Sequence, residues 1–261
     1  MWNQTEKNIF VAGHRGYPEK YPENTLLSFQ KAVEAGVDML ELDIQMTKDH
    51  QLVIMHDLAV DRTTDGSGPI KEKTLSEIRQ LDAGGRFAEQ FQGLQVPLFS
   101  EFLELFSEKS SVLFNFELKE RPLPGNEERA FEAADRTIEL VEKYHLGDRC
   151  VFNTFSARLL QYIAERYDGK YRLHGYYPLS LMGEYERDPY SYLYCMCVSE
   201  LDKALFSELK SKQIEPWVGP SVCTKEKIRQ AADCGATLIT CNNPETVLSI
   251  LTEEGLRSTP V

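Results

Sequence analysis

Four short motifs in the first half of the chain carry reactive side chains at regular spacing. His14-Arg15-Gly16 ends the apolar run IFVAGH, and Glu41-Leu42-Asp43 lies inside MLELDIQMT. His56-Asp57 closes QLVIMHD, and Glu117-Leu118-Lys119 closes VLFNFELK. In an extended strand, side chains i and i+2 share a face. Glu41 and Asp43 therefore aim two carboxylates at one place, while Glu117 and Lys119 project a carboxylate and an ammonium together. Like charges held close are costly unless a cation bridges them. The flanking Met39, Leu40, Leu42 and Ile44 indicate burial rather than a solvated edge.

Taken singly, each motif also has a plain structural reading: a turn histidine beside a capping aspartate at His56, or an ion pair between Glu117 and Lys119. Taken together, the acids Glu41, Asp43 and Glu117 offer oxygen ligands, which select one hard cation, Mg²⁺ or Ca²⁺, over zinc. His14 and His56, with no cysteine nucleophile beside them, suit general acid–base catalysis. Arg15 can grip a phosphate in two places and Lys119 adds a second positive charge. Metal-assisted hydrolysis of a phosphate ester employs all of these groups. The other histidines read as structural, His50 in a turn, His145 near a helix end and His174 mid-strand in the core.

Positioning such a set requires strands whose ends meet. Apolar runs alternate with amphipathic stretches along the chain. Further strand candidates are CVFNTF, YRLHGYY, YLYCMCVS, IEPWVG and ATLITCN. NTLLSFQKAVEAG reads as a helix with Asn24 as N-cap and Gly36 as its stop. Helical patterns also cover TLSEIRQL, ERAFEAADRTIELVEKYH, ARLLQYIAERY, DKALFSELKSKQ, TKEKIRQAADCG and PETVLSILTEE. Repeated β-then-α units imply parallel strands with right-handed crossovers. About eight of them in a chain of this length predict a closed (β/α)₈ TIM barrel, whose site would sit at the carboxyl ends of the strands. The Gly-rich dinucleotide fingerprint of an open doubly wound sheet is absent. Residues 58–98 break the rhythm and are expected to form a small subdomain inserted into a single barrel domain spanning 1–261.

The chain has 261 residues, with 29 Lys+Arg against 41 Asp+Glu and a net charge of −12. That balance argues against nucleic-acid binding and against docking on anionic membranes through a basic patch. No apolar stretch is long enough to span a bilayer. The N-terminus lacks the basic start and apolar run of a signal peptide, so a cytoplasmic location with reduced core thiols is expected for the six cysteines.

The ordered motifs H-R-G, P-E-N-T, E-x-D, T-x-D and H-D within residues 14–57 closely resemble the signature of the glycerophosphodiester phosphodiesterase family. The resemblance continues through DRTTDGSG, TLSEIRQLDAGGRF and the ELK of residues 117–119, and is thinner afterwards. It implies a TIM barrel with an insertion between strand 2 and helix 2. It also implies divalent-metal-dependent hydrolysis of glycerophosphodiesters to sn-glycerol 3-phosphate and an alcohol, within lipid and glycerol metabolism. Carried over by motif, Glu41, Asp43 and Glu117 correspond to metal ligands, and His14 and His56 to the acid–base pair. Arg15 and Lys119 correspond to phosphate-binding residues, with Glu23 as a further site residue. Trp217 matches the tryptophan that lines the family's pocket. The chain departs from relatives in Val218-Gly219-Pro220 after that tryptophan, and in Thr237 and Cys241 near its end. Two alternatives stay open. One is lysophospholipase D-type hydrolysis of lysophospholipid headgroups, for which Phe87, Phe91, Leu94 and Phe99 are rim candidates. The other is a non-catalytic phosphodiester-binding barrel, which the complete histidine and carboxylate sets argue against.

Overall fold

The computed structural model describes residues 9–109 and 111–258. The first eight residues, where the expected lack of a signal peptide is read, lie outside the described residues. In chain order the elements are β1 (Phe10–His14), α1 (Leu26–Ala35), β2 (Met39–Met46), β3 (Leu52–Ile54), α2 (Leu75–Ile78), α3 (Phe99–Phe106), β4 (Leu113–Leu118), α4 (Glu127–Lys143), β5 (Cys150–Asn153) and α5 (Ala157–Arg166). They continue with β6 (Arg172–Tyr177), β7 (Cys195–Val198), α6 (Lys203–Ser211), β8 (Glu215–Val218), α7 (Lys225–Cys234), β9 (Leu238–Cys241) and α8 (Pro244–Glu253).

The sheet runs β1-β9-β8-β7-β6-β5-β4-β2, and the parallel pairing of β1 with β2 closes it. It is a TIM barrel, as the alternating pattern predicts. β3 stands outside the ring and pairs antiparallel with β2, Ile44 opposite Ile54. The strands are nearly continuous apolar runs because helices cover the outer face. Leu40, Leu42, Ile44, Phe114 and Phe116 point outward into the main core with Phe29, Phe99 and Phe102. The alternate residues point into the barrel, which is why acids can sit in strands that look hydrophobic.

The helix ends differ from expectation at one residue. Thr25, not Asn24, caps α1: its hydroxyl accepts from the Ser28 N–H, while Gly36 at φ 93° ends the helix. Asn24 is released from capping because its amide donates to Asp43 Oδ2 at 2.7 Å. The aromatic helix α3 is an addition to the expected elements. Phe99, Phe102, Leu103 and Phe106 all bury toward the core at helical spacing. It is the second barrel helix, so the insertion falls between β2 and α3 and carries β3 and α2. A separate apolar cluster of Val53, Met55, Val60, Ile70, Ile78, Ala83 and Val96 lies beneath that segment. Arg79 fastens it to α3 with two hydrogen bonds to Glu101, at 2.7 and 2.9 Å. Between β6 and β7 the crossover holds two short 3₁₀ turns, Leu179–Met182 and Pro189–Ser191, and no α-helix.

Among the described residues, no helix is long and apolar enough to cross a membrane. All six cysteines are unpaired; Cys150, Cys195 and Cys241 are buried, whereas Cys223 is exposed rather than a core thiol.

The turn after β1 is the tightest constraint near the barrel mouth. Arg15 has φ 54°, a left-handed conformation uncommon for a residue with a side chain, and Gly16 has φ 89°. A Cβ at Gly16 would lie 2.4 Å from Ser28 Oγ and 2.7 Å from the Ser28 carbonyl carbon. Gly16→Ala should therefore cost about 2–4 kcal/mol, combining the left-handed penalty with overpacking against α1. Urea titration measures this, and a loss under about 1 kcal/mol would show that the turn can relax.

Candidate active site

Strand register brings the predicted residues together. His14 of β1 lies beside Glu41 of β2, and Asp43 of β2 beside Glu117 of β4. Glu41, Asp43 and Glu117 each offer a carboxylate oxygen within 4.8 Å of the others, and all three are buried. Lys119 Nζ lies 2.6 Å from Glu117 Oε1 and 3.1 Å from Asp43 Oδ1. The Arg15 backbone N–H donates to Glu41 Oε2 at 2.9 Å, and its guanidinium Nε lies 3.3 Å from Asp43 Oδ2. Arg15 Nη1 also donates to Glu23 Oε1 at 3.0 Å. The strained turn thus directs both the backbone and the side chain of Arg15 toward the acids.

The charges are unevenly satisfied. Burial, then the neighbouring Asp43 and Glu117, raise the Glu41 carboxyl well above its ordinary value. Burial and Asp43 likewise raise Glu117, despite Lys119. Burial would raise Asp43 too, but Lys119 and Arg15 hold it below the usual carboxylate range. Two cations therefore do not neutralise three carboxylates. Asp43 Oδ1 and Arg15 Nε are buried and make no hydrogen bond, although each sits in an ion pair. An all-oxygen donor set with an excess negative charge and an unsatisfied buried oxygen fits a divalent cation.

The two histidines sit in different surroundings. His14 Nδ1 lies 2.7 Å from Asn242 Oδ1. A carbonyl oxygen only accepts, so Nδ1 carries the proton and Nε2 keeps its lone pair. Burial, then Arg15, pull this imidazole down to about 4, so it is neutral at pH 7. His56 Nδ1 lies 2.7 Å from Asp57 Oδ1. Gln45 donates to the carbonyls of both Met55 and Asp57, fixing the backbone on either side of His56.

Sequence reasoning missed Arg62 and Asn242. Arg62 makes two hydrogen bonds to Glu23, both 2.8 Å, and two to Asp57, at 2.7 and 3.0 Å. It lies in the DRTT segment, so its motif is visible in the sequence though its partners are not. Asn242 follows the last strand candidate, and nothing in its local pattern points to His14. Trp217 is placed differently from expectation. It is 1% exposed and packs inside the barrel with Ala12, Met39 and Leu238. Ala12 and Met39 each precede a site residue by two positions, so the indole lies one layer beneath the acids, its N–H donating to Glu215 at 3.2 Å. The rim candidates, for which a packed subdomain core is the alternative use, divide: Phe99 is buried and Phe91 packs edge-on against Phe87 and Tyr21, while Phe87 is 45% exposed.

The sequence profile of the glycerophosphoryl diester phosphodiesterase family matches residues 14–214. The chain belongs to that family. It is 41% identical over 148 residues to a glycerophosphodiester phosphodiesterase of Caldanaerobacter subterraneus, a match covering 56% of this chain and 58% of that protein. It is 33% identical over 148 residues to human glycerophosphodiester phosphodiesterase 1, covering 55% of this chain and 43% of the relative. The chain spans about three-fifths of the length of the bacterial relatives it matches. Among solved structures, the family fold recurs in an Oleispira antarctica phosphodiesterase in complex with its product sn-glycerol 3-phosphate. That match has a TM-score of 0.80 at 24% identity, covering 93% of this chain and 96% of that one. The Agrobacterium tumefaciens glycerophosphodiester phosphodiesterase matches with a TM-score of 0.78 at 23% identity, over 92% and 99% of the two chains.

Beneath the acids of this family member, His174 faces the Asn115 amide nitrogen through Nδ1 at 3.2 Å, and its Nε2 has no partner among the described residues. Burial holds it at about 3, against 6.5 for a free imidazole. Between those values the unfolded chain binds a proton that the folded one refuses, so stability falls as pH falls through this window. His174→Gln should flatten the stability profile between about pH 5.5 and pH 4 by about 1.4 kcal/mol per pH unit. Urea melts at several pH values measure the slope; an unchanged slope would mean that His174 protonates in the folded protein.

Proposed function

We propose that the protein hydrolyses glycerophosphodiesters to sn-glycerol 3-phosphate and an alcohol, using a divalent cation and two histidines. The observation that carries this reading is the convergence of Glu41, Asp43, Glu117, Arg15 and Lys119 at one barrel mouth flanked by His14 and His56. The names of the relatives, and the product held by the Oleispira protein, support it. Glu41, Asp43 and Glu117 would hold the cation, Mg²⁺ or Ca²⁺, which when bound would polarise a phosphoryl oxygen. Arg15 and Lys119 bind the phosphate and share the charge that grows as the ester breaks. His14, neutral and with a free Nε2 lone pair, takes a proton from the nucleophile. His56, backed by Asp57, gives one to the leaving alkoxide. Glu23 orients Arg15, and Trp217 closes the floor below. On this reading the described residues form one barrel domain, with 58–98 a subdomain packed behind His56. Its partner is a small diester, and six unpaired thiols suit a reducing cytoplasm.

Release of glycerol 3-phosphate from glycerophosphocholine and glycerophosphoethanolamine tests the proposal, with chelator-stripped protein and added Mg²⁺ or Ca²⁺. His14→Ala or His56→Ala should lower kcat by about 10²–10⁴, and Glu41→Gln should raise the metal concentration needed for half-maximal rate. Wild-type turnover by His56→Ala, or activity that survives exhaustive chelation, would overturn the scheme.

One observation favours a second reading, hydrolysis of lysophospholipid headgroups. A groove of about 920 Å³ opens beside His56 and Lys119 and is walled by Leu58, Pro69, Leu123, Pro124 and Phe155. Leu58 and Leu123 are 65% and 60% exposed, an unusual display of apolar surface beside a charged site. If an acyl chain lies there, kcat/KM for lysophosphatidylcholine exceeds that for glycerophosphocholine, and Leu123→Asp removes the difference while sparing the smaller substrate. Equal values, unmoved by Leu123→Asp, would leave the groove without an acyl chain.

A further inference from the structure

A dense hydrogen-bonded network beside the carboxylate trio centres on Arg62, which the hydrolytic scheme does not use. Its guanidinium forms a double fork. Nε and Nη2 donate to the two oxygens of Asp57, and Nη1 and Nη2 donate to the two oxygens of Glu23. Asp57 in turn accepts from His56 Nδ1, and Glu23 accepts from Arg15 Nη1. An unbroken line of contacts therefore runs from His56 through Asp57, Arg62 and Glu23 to Arg15, which touches Glu41 and Asp43. At its two ends lie the histidine just past β3, outside the barrel ring, and Arg15 just past β1, at the ring's mouth.

We infer that Arg62 is a positioning residue that sets where His56 stands relative to the barrel-borne half of the site. Asp57 alone cannot do this, because it is the next residue after His56 and shares any movement of that segment. Arg62 ties Asp57 to Glu23, which belongs to the β1–α1 loop. Arg62 is itself presented by a fixed turn: Thr64 is fully buried, and both its backbone N–H and its hydroxyl donate to the Val60 carbonyl, at 3.1 and 2.7 Å. The Gly68 N–H donates to the Asp61 carboxylate at 2.8 Å. Asp57 accepts a proton donor whether the imidazole is neutral or charged, so Nδ1 keeps its hydrogen and Nε2 is the nitrogen free to exchange a proton. The fork fixes that choice and its direction. A lysine would supply charge but not four hydrogen bonds in one plane. Arg62 touches no reacting atom on this account, and the assignment rests on the hydrolytic reading of the site.

The test compares wild type, R62Q and R62K on glycerophosphocholine with Mg²⁺, alongside thermal melts and ¹⁵N spectra of the His56 ring. R62Q should lower kcat by about 10- to 100-fold with KM within about threefold, because a misaimed proton donor harms the chemical step rather than binding. Its melting temperature should stay within a few degrees of wild type, and the His56 signal should change from a single Nδ1–H form to a mixture. R62K should recover no more than about a tenth of the wild-type rate. The assignment is overturned by wild-type kcat in R62Q, by a loss confined to KM, by full rescue in R62K, or by an unchanged His56 spectrum in folded R62Q. If R62Q does not fold, R62K decides alone: a fall in kcat with the altered His56 spectrum supports the assignment, and wild-type values overturn it. A wild-type protein that turns over no glycerophosphodiester defeats the hydrolytic reading instead, and the His56 spectrum then decides the positioning of the ring on its own.

Discussion

Three carboxylates within 4.8 Å of one another, buried at a barrel mouth, cannot all stay ionised without compensating positive charge. This constraint organises the rest of the site. The barrel supplies the force that holds the acids together, since Glu41, Asp43 and Glu117 sit on adjacent hydrogen-bonded strands whose outer faces are locked into an aromatic core. The strands cannot part without exposing Phe114 and Phe116. Compensation then comes from close at hand. Lys119 lies two residues beyond Glu117 on the same face, and Arg15 is bent into the site by a left-handed turn. The strain of that turn persists because Gly16, Ser28 and the backbone bond to Glu41 leave the chain no other course. Three ionised carboxylates would leave one charge unbalanced, and that excess pushes Glu41 most strongly toward its neutral, protonated form. A cation that displaces this proton would complete the set.

The same local arithmetic changes what the overall charge means. A net charge of −12 repels polyanions. It says little about a small anion at a site where a bound dication, with Arg15 and Lys119, would outweigh three carboxylates. Exposed surface charge is screened within about 10 Å at moderate salt, whereas groups this deeply buried are screened much less. A small monoanion at the mouth would then meet the local field rather than the global one.

How much of this is legible in the sequence depends on the range over which each residue acts. Glu41 with Asp43, and Glu117 with Lys119, can be read because period-two spacing fixes a shared face within one strand. The barrel itself emerges from nine apolar runs, all of which are strands, although only the pairing partners distinguish β3 from the ring. Residues that act across the fold stay hidden. Arg62 reaches back 39 residues to Glu23, and Asn242 meets His14 across 228 residues. Asn24 and Thr25 are both plausible caps, and the choice falls to the tertiary demand of Asp43. Trp217 has the right type and strand for a pocket wall, but it lies one layer too deep. Helix α3 is obscured because its aromatic face adjoins an irregular insertion, so its helical period is absorbed into the segment before it.

The two histidines show how one residue type is given two different surroundings by the fold. His14 ends a barrel strand, is largely desolvated, and has a neutral amide as its Nδ1 partner. Its ring is thereby kept uncharged with a lone pair exposed, the state a proton acceptor needs. His56 lies just beyond the one strand outside the ring and has a carboxylate on Nδ1. A carboxylate there accepts the Nδ1 hydrogen and so fixes which nitrogen of the ring is left free. The difference arises not from the histidines themselves but from the segment that each strand leads into. After His14 come the strained turn and the buried trio. After His56 comes an aspartate fastened by Arg62 to the opposite loop. A barrel strand alone could supply the first environment. The second is built from the antiparallel strand and the insertion beyond it, through the Arg62 contacts to Asp57 and Glu23.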